Sequence, residues 1–98
     1  MAKKAYWVSF YRSIKDPEAV AAYAKLAGPA LRPLGAKYLA VGMANEAYEA
    51  GIKQRMVILE FPRLAEAVAA HESPGYQAAL KVFNNAAERD FRIIEAME

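Results

Sequence analysis

The 98-residue chain predicts an α+β fold of the ferredoxin-like type, with elements in the order β-α-β-β-α-β. Aromatic and β-branched side chains concentrate in stretches of strand length, of which residues 55–61 (RMVILEF) are the clearest. Two helix starts stand out, at Asp16-Pro17-Glu18 and at Ser73-Pro74, each a capping side chain followed by proline. Because β-α-β connections are right-handed, two helical segments should cover one face of a four-stranded antiparallel sheet.

The first strand is predicted at residues 5–11 (AYWVSFY), and the first helix begins at Asp16. Apolar side chains then recur every three or four residues along one helical face: Val20, Tyr23, Ala24, Ala27 and Leu31. Gly28-Pro29 interrupts this pattern, because proline removes a helical hydrogen bond and clashes with the preceding turn. We therefore expect a kink there, or a short second segment that ends near residues 33–35.

The second and third strands are predicted at residues 36–43 (AKYLAVGM) and 55–61, joined by a long hairpin. Gly42 indicates a bulge or a close backbone approach, and residues 47–49 are a candidate extension of the second strand. After Pro62, a helix is predicted, and one of its faces carries four residues spaced three or four apart: Leu64, Ala67, Val68 and His71. A helix restarts at Ser73 with an apolar stripe of Tyr76, Ala79, Leu80, Phe83 and Ala87. The last strand is predicted at residues 91–97.

Both faces of the predicted strands are apolar, although two helices can cover only one face of a sheet. In the third strand, one face carries Met56 and Ile58, and the opposite face carries Val57, Leu59 and Phe61. The same holds elsewhere: Tyr38 and Ala40 oppose Leu39 and Val41, and Tyr6, Val8 and Phe10 oppose Trp7 and Tyr11. A second copy of the sheet is the simplest cover for such a surface, so we predict a homodimer, a dimeric α/β barrel.

Composition excludes several function classes. With 56% hydrophobic and 24% charged residues, residues 1–98 are expected to form a single domain. A net charge of +2 and the lack of an aromatic RNA-binding signature argue against a nucleic-acid partner. The absence of cysteine, a single histidine and the lack of a phosphate-binding glycine loop predict no metal and no cofactor. No signal peptide or membrane-spanning run is visible, so we expect no membrane partner and a cytoplasmic location.

Four segments carry a resemblance to a known family: AYWVSFYRSIKDPEAVAAYAKLAGPAL, GAKYLAVG, VILEFPRLAEAVAAHESPGYQAAL and ERDFRIIEAM. Together they resemble domain of unknown function 1330, most specifically in EFP at residues 60–62 and SPGYQAA at residues 73–79. The family belongs to the dimeric α/β-barrel superfamily, so the resemblance implies that fold and a dimer, and no established activity. Superfamily relatives include quinone-forming monooxygenases, heme-degrading enzymes, chlorite dismutases and muconolactone isomerases, which is an analogy of fold alone.

His71 is the only histidine in the chain, and two interpretations are open. As a functional residue it would be a general base or a ligand contact between helix and sheet, because its pKa suits proton transfer. As a structural residue it would bond the carbonyls at a helix end, where the helix dipole favours it. The structural interpretation is preferred, since no second histidine or nucleophile stands at a suitable spacing.

Glu60 shares a strand face with the apolar Met56 and Ile58. If it is buried there, its pKa would rise and it could act as an acid or base. The preferred alternative is a salt bridge near the strand end, with candidate partners Arg55, Arg89 and Arg92.

Several aromatic side chains are candidates for a pocket between the first helix and the sheet: Tyr23, Tyr38, Trp7 and Tyr11. They serve equally well as core and dimer contacts. Tyr76 lies on the apolar stripe of its helix, so core packing is the default and a ligand-facing hydroxyl the alternative. Arg89 and Arg92 flank the start of the last predicted strand and suit either an anion site or surface ion pairs.

The sequence therefore predicts a homodimer that binds a small apolar or aromatic molecule between helices and sheet. Cofactor-independent acid/base chemistry there would use tyrosine, His71 or Glu60. The alternative is a structural or regulatory dimerisation module without catalytic activity, so the sequence leaves open whether the protein is an enzyme. The candidate ligand-binding residues are His71, Tyr76, Tyr23, Tyr38, Glu60 and Arg89.

Overall fold

A computed structural model of the chain describes residues 3–97 and has the predicted order of elements. The strands are β1 (Ala5–Ile14), β2 (Lys37–Met43), β3 (Arg55–Phe61) and β4 (Ala87–Glu95). The helices are α1 (Pro17–Leu31), α2 (Leu64–His71) and α3 (Pro74–Phe83). The strands form one sheet in the order β2-β3-β1-β4, in which every neighbouring pair is antiparallel. The α+β, ferredoxin-like fold class is therefore confirmed.

Both predicted helix starts are present with their caps. The Asp16 carboxylate accepts a hydrogen bond from the Ala19 amide at 3.1 Å, and the Ser73 hydroxyl accepts one from the Tyr76 amide at 3.4 Å. Helix α1 continues through Pro29, which lies in its last turn, and is followed by a single 3-10 turn, Arg32–Leu34. The short second segment thus begins after Leu31 rather than at Gly28-Pro29.

Two strand boundaries and the role of one glycine differ from the sequence prediction. Strand β4 begins at Ala87 rather than residue 91, because β1 extends to Ile14 and pairs with β4 along its whole length. Residues 47–49 are not strand, and Glu49 has a positive φ of 55° that extended pairing does not allow. Gly42 is not a close backbone approach, since no heavy atom of residues 3–97, apart from the glycine and its chain neighbours, lies within 4 Å of the position that a Cβ would occupy.

An irregularity in β2 changes which of its side chains share a face. Tyr38 pairs with Leu59 and Ala40 pairs with Ile58, so Leu39 is the extra residue of a bulge. Val41 then pairs with Val57 and lies on the same face as Tyr38, while Ala40 lies on the opposite face. The predicted grouping of Tyr38 with Ala40 is wrong for this reason.

The core lies between the helices and one face of the sheet. Trp7 is at its centre, with ring centroids 5.2 Å from Phe61 and 5.0 Å from both Tyr76 and Phe91. Its indole N–H donates to the carbonyl of Ala67 at 2.8 Å and so ties β1 to α2. A buried indole N–H with such a partner fixes the ring in a single orientation.

The helical stripes are only partly as predicted. On α3, burial of Tyr76, Ala79 and Phe83 confirms the stripe, whereas Ala87 belongs to β4 because the helix ends at Phe83. On α2, the buried residues are Ala67 and Ala70, and Leu64 and Val68 are exposed. The inner side of α2 therefore consists of small alanines, while Leu64 and Val68 face outward.

The other sheet face carries apolar side chains that no helix covers. Val8 pairs with Ile58 and Phe10 with Met56, so these four side chains adjoin on the face away from the helices. Ile94 joins them from β4 and is 61% exposed. Within residues 3–97, no helix has the length and apolar character needed to cross a membrane.

Candidate functional site

A cavity of about 460 Å³ lies between α1 and the helix-facing side of the sheet. Small residues of α1 form its roof, namely Ala24, Ala27 and Gly28. Helix α1 packs along α3, and the short side chains of its inner face leave space above the sheet. The floor and walls come from all four strands: Trp7, Ser9, Tyr11, Tyr38, Val41, Arg55, Val57, Leu59, Arg89 and Phe91. The cavity is within the size range of small-molecule sites, roughly 300–1,000 Å³.

Arg89 projects from β4 into a group of three tyrosine hydroxyls. Its Nη1 donates to the hydroxyls of Tyr23 at 3.2 Å and of Tyr11 at 3.5 Å, and its Nη2 donates to that of Tyr76 at 3.3 Å. Aromatic faces surround the guanidinium carbon, which lies 4.3 Å from the ring centroid of Phe83 and 4.9 Å from that of Tyr23. Cation–π attraction therefore adds to the hydrogen bonds in holding Arg89.

The hydroxyl oxygens of Tyr23 and Tyr76 are 2.7 Å apart, so one of the two donates to the other. Tyr76 is completely buried and is not part of the cavity wall, whereas Tyr23 lines the cavity. If Tyr23 donated, the O–H of Tyr76 would be left without an acceptor in the interior, which is unfavourable. Tyr76 is therefore the donor, and the O–H of Tyr23 remains available to the cavity.

The protonation states in this group follow from burial and from neighbouring charges. Burial raises the pKa of Tyr76 well above its ordinary value of 10.0, Tyr23 raises it further, and Arg89 opposes the increase. Burial alone lowers the pKa of Arg89, but Tyr23 and Tyr76 outweigh it and the net pKa is raised. At neutral pH the group thus holds a neutral Tyr76 phenol beside a guanidinium cation.

Two polar atoms at the cavity have no partner among the described residues. The Ser9 hydroxyl is on the cavity floor, and the residue is 3% exposed. The Nε of Arg55 is likewise buried without an acceptor, while its guanidinium carbon lies 5.7 Å from the ring centroid of Tyr11. Unpartnered buried polar groups are rare in folded proteins, and each requires a physical explanation.

The candidate ligand-binding residues divide between the cavity and other places. Tyr23, Tyr38 and Arg89 line the cavity, and so do the other two aromatic candidates, Trp7 and Tyr11. Burial, with a contribution from Tyr23, raises the pKa of Tyr38, while Arg32, whose guanidinium carbon is 4.7 Å from the Tyr38 ring centroid, and Arg55 oppose this. Tyr76 touches the site through its hydroxyl bonds to Tyr23 and Arg89.

His71 is half-buried beside the aromatic core rather than in the cavity wall. Its ring centroid is 5.3 Å from that of Tyr76 and 5.9 Å from that of Trp7. Its Nδ1 lies 2.9 Å from a carboxylate oxygen of the neighbouring Glu72, and its carbonyl accepts a hydrogen bond from Gln77 at 2.7 Å. His71 therefore lies at the end of α2, but its imidazole bonds a carboxylate and not the helix-end carbonyls that the structural interpretation predicted.

Glu60 lies on the sheet face away from the cavity, paired across strands with Tyr6 and Lys37. Its carboxylate forms an ion pair with Lys4 at 3.4 Å. The salt-bridge interpretation is thus correct, but each of the arginine partners that the sequence suggested is wrong. Arg55 and Arg89 point to the helix side of the sheet, and the guanidinium of Arg92 donates to Asp90 at 2.9 Å and 3.0 Å.

Sequence reasoning missed Ser9 and Arg55 as members of the site. Both were detectable, because strict alternation places Ser9 with Trp7 and Tyr11, and Arg55 with Val57 and Leu59. A polar residue on the apolar face of a strand is the signal. No cluster of three metal-ligating side chains occurs among residues 3–97.

The whole of this folded unit matches one family model. The model of the family described as "Domain of unknown function (DUF1330)" matches residues 4–97. The chain belongs to the DUF1330 family. That result agrees with the resemblance in the sequence, and no curated protein sequence is significantly similar to the chain.

Solved structures share the fold of this DUF1330 protein at low sequence identity. The RPA0582 protein of unknown function from Rhodopseudomonas palustris is 21% identical with a TM-score of 0.77, over 100% of this chain and 85% of that one. A dimeric ferredoxin-like protein of unknown function from Thermobifida fusca is 18% identical with a TM-score of 0.69, over 98% and 93% of the two chains. SnoaB, a cofactor-independent oxygenase from Streptomyces nogalater, is 9% identical with a TM-score of 0.68, over 99% and 96%.

Proposed function

We propose that this DUF1330 protein binds a small, largely apolar or aromatic molecule in the cavity between α1 and the sheet. The observation that carries this proposal is the Ser9 hydroxyl, buried on the cavity floor without a partner in the described range 3–97. A polar group that is unpaired in an otherwise apolar, aromatic-walled space suits a ligand that supplies the missing hydrogen bond. Trp7, Tyr38 and Phe91 offer flat apolar surfaces for the body of such a ligand.

Acid/base chemistry in this cavity falls to tyrosine hydroxyls rather than to His71 or Glu60, which are outside its wall. Tyr23 is the proton donor of the site, since its O–H faces the cavity while Arg89 and Tyr76 donate to its oxygen. Such a polarised phenol is suited to stabilise charge that develops on a ligand oxygen, with no cofactor. The fold shared with a cofactor-independent oxygenase supports chemistry without a cofactor, by analogy of fold alone.

We also propose that the protein is a homodimer whose uncovered sheet faces pack on one another. The apolar surface formed by Val8, Phe10, Met56, Ile58 and Ile94 needs such a cover. The dimeric ferredoxin-like protein from Thermobifida fusca supports this arrangement. A surface of this type is self-complementary across a two-fold axis.

Binding is tested with N-phenyl-1-naphthylamine, a neutral aromatic dye that becomes fluorescent in apolar surroundings. Trp7 is the only tryptophan and lines the cavity, so energy transfer from Trp7 reports that dye is bound to the protein, and variants of the cavity roof locate it. Ala24→Phe fills the roof of the cavity and should abolish energy transfer. Ala22→Phe, at an exposed position of the same helix, is the matched control and should leave it intact.

Equal binding to the wild type and to Ala24→Phe would place the dye elsewhere and refute the proposed site.

The dimer is tested by sedimentation at micromolar concentration, with Ile58→Lys on the uncovered face and Val82→Lys on α3 as control. We expect the wild type and Val82→Lys to be dimers and Ile58→Lys to be a monomer. A monomeric wild type refutes the dimer, and a dimer that binds no aromatic probe favours the dimerisation module instead.

A further inference from the structure

We propose that the cavity selects an anion: its ligand combines an aromatic or apolar body with one anionic oxygen group of the carboxylate type. This inference rests on the proposed function, since it concerns the same cavity, and it adds the charge of the ligand. It depends on the charges in the cavity wall, on two arginines that flank Tyr11 and have no carboxylate partner among residues 3–97, and on the hydroxyl groups of the cavity.

The cavity wall has one sign of charge. Four basic side chains line it, Lys25, Arg32, Arg55 and Arg89, and no aspartate or glutamate of residues 3–97 does. The whole chain has 13 basic and 11 acidic side chains, for a net charge of only +2. The wall is therefore strongly basic in a nearly neutral protein, and a space walled by one sign of charge concentrates ligands of the opposite sign.

Two of these cations lie deep in the site and flank the same ring. Tyr11 on β1 pairs with Arg89 on β4. On the other side of β1, the pairing with β3 ends at Phe10 and Met56, so Arg55 lies next to Tyr11. Both guanidinium carbons are 5.7 Å from the ring centroid of Tyr11. The structure thus holds an Arg55–Tyr11–Arg89 row across three adjacent strands, with like charges at both ends.

No ion pair neutralises this row within the described part of the chain. The acidic side chains in ion pairs bind Lys4, Arg12, Lys53, Arg63, His71 or Arg92 instead. Arg89 has only the neutral oxygens of three tyrosines, and the Nε of Arg55 has no acceptor. Charges in the interior are normally paired, because their desolvation is otherwise uncompensated. An anionic group in the cavity, which both arginines line, would compensate their charge.

The neutral polar groups of the cavity agree with an acceptor rather than a donor on the ligand. The O–H of Tyr23 is free to donate into the cavity, since the oxygen of Tyr23 already accepts from Arg89 and Tyr76. The Ser9 hydroxyl, which has no partner among residues 3–97, can donate to the same acceptor. A carboxylate has acceptor capacity for several N–H and O–H donors at once, whereas an amide or an alcohol competes with its own donors.

The experiment compares ligands that share one body and differ in charge. 2-Naphthoate, 2-naphthamide and 2-naphthylmethylammonium are titrated as competitors of N-phenyl-1-naphthylamine, and directly by calorimetry. We expect naphthoate to bind at least about tenfold more tightly than naphthamide, and the ammonium compound to bind weakest. The preference for naphthoate should decrease at high salt.

Arg55→Gln is the decisive variant, because Arg89 also holds three tyrosine hydroxyls and its removal affects packing. In Arg55→Gln the preference for naphthoate over naphthamide should fall by about tenfold, with naphthamide affinity retained. Arg63→Gln removes the same charge at an exposed ion pair outside the cavity and should leave the preference unchanged.

The outcomes separate this inference from the proposed function. If dye and naphthamide bind but naphthoate binds no better, the cavity is a ligand site and the anion inference is overturned. It is equally overturned if Arg55→Gln retains the full preference, or if Arg63→Gln loses as much of it. If neither the dye nor any naphthalene compound binds, the proposed function itself fails.

Discussion

The hydroxyl oxygens of Tyr23 and Tyr76 are 2.7 Å apart, although the two residues are 53 positions apart in the chain. This contact joins α1 to α3 at the point where Arg89 reaches from the sheet. The same hydroxyl groups therefore hold the two helices together and bind the guanidinium that lines the cavity.

Removal of the Tyr76 hydroxyl should destabilise the protein. Tyr76→Phe deprives Tyr23 of a donor and Arg89 of an acceptor in the interior, which costs about 1–3 kcal/mol. Urea denaturation followed by circular dichroism measures the free energy of unfolding. Tyr48→Phe, at a 77% exposed position, should have no measurable effect. Equal stability of Tyr76→Phe and wild type would contradict the hydrogen-bonded arrangement.

Stability should decrease at alkaline pH because of Tyr76. Its pKa in the folded state is raised by burial, so the unfolded chain releases this proton first. The stabilisation is fully present below the unfolded pKa of about 10 and is lost as the pH rises above it, by up to about 1.4 kcal/mol per pH unit. Unfolding measured between pH 8 and pH 11, in steps of about one unit, should show a weaker decrease for Tyr76→Phe than for wild type. Parallel curves for both proteins would assign the alkaline effect to other groups, such as Tyr38.

The aromatic core around Trp7 should depend strongly on Phe61. Phe61 is fully buried and its ring packs on Trp7 with centroids 5.2 Å apart. Phe61→Ala should destabilise the fold by about 3–5 kcal/mol through lost burial and a new void. Leu26→Ala on the outer side of α1, at a 46% exposed position, is the control and should change stability little. Thermal unfolding compares the two, and a similar small effect for both would contradict the assigned core.

Ser73 should be a cap that links α2 to α3. Its hydroxyl donates to the carbonyl of Ala70 at 2.7 Å and accepts from the amide of Tyr76. Ser73→Ala should therefore cost about 1 kcal/mol, and Ser73→Thr should retain most of the stability. Ser13→Ala, at an exposed position of β1, is the matched control. Hydrogen exchange at the start of α3 should be faster in Ser73→Ala alone; unchanged exchange would argue against the cap.

His71 should be dispensable for ligand binding. Its side chain contacts the core aromatics and Glu72 but is not in the cavity wall. His71→Asn should therefore retain the dye affinity of wild type, while Ala24→Phe loses it. Loss of dye binding in a folded His71→Asn protein would show that His71 contributes to the binding site and would contradict this prediction.

Local interactions explain why the sequence alone determined the order of elements and several of their ends. A cap such as Ser73 and a stripe such as Tyr76, Ala79 and Phe83 act within one or two helical turns. The apolar character of both strand faces, with Ile58 on one and Leu59 on the other, is likewise readable from alternation. These features require no knowledge of distant parts of the chain, so the fold class followed from them.

Only the tertiary structure decided which side chains meet. The bulge at Leu39 shifts Val41 to the cavity side, and the pairing of β1 with β4 brings Arg89 to Tyr11. Lys4 rather than an arginine reaches Glu60 for the same reason. Strand register and helix packing are long-range properties, set by the summed burial of many residues rather than by any local pattern. The cavity and its basic, acceptor-poor wall are therefore consequences of the assembled fold.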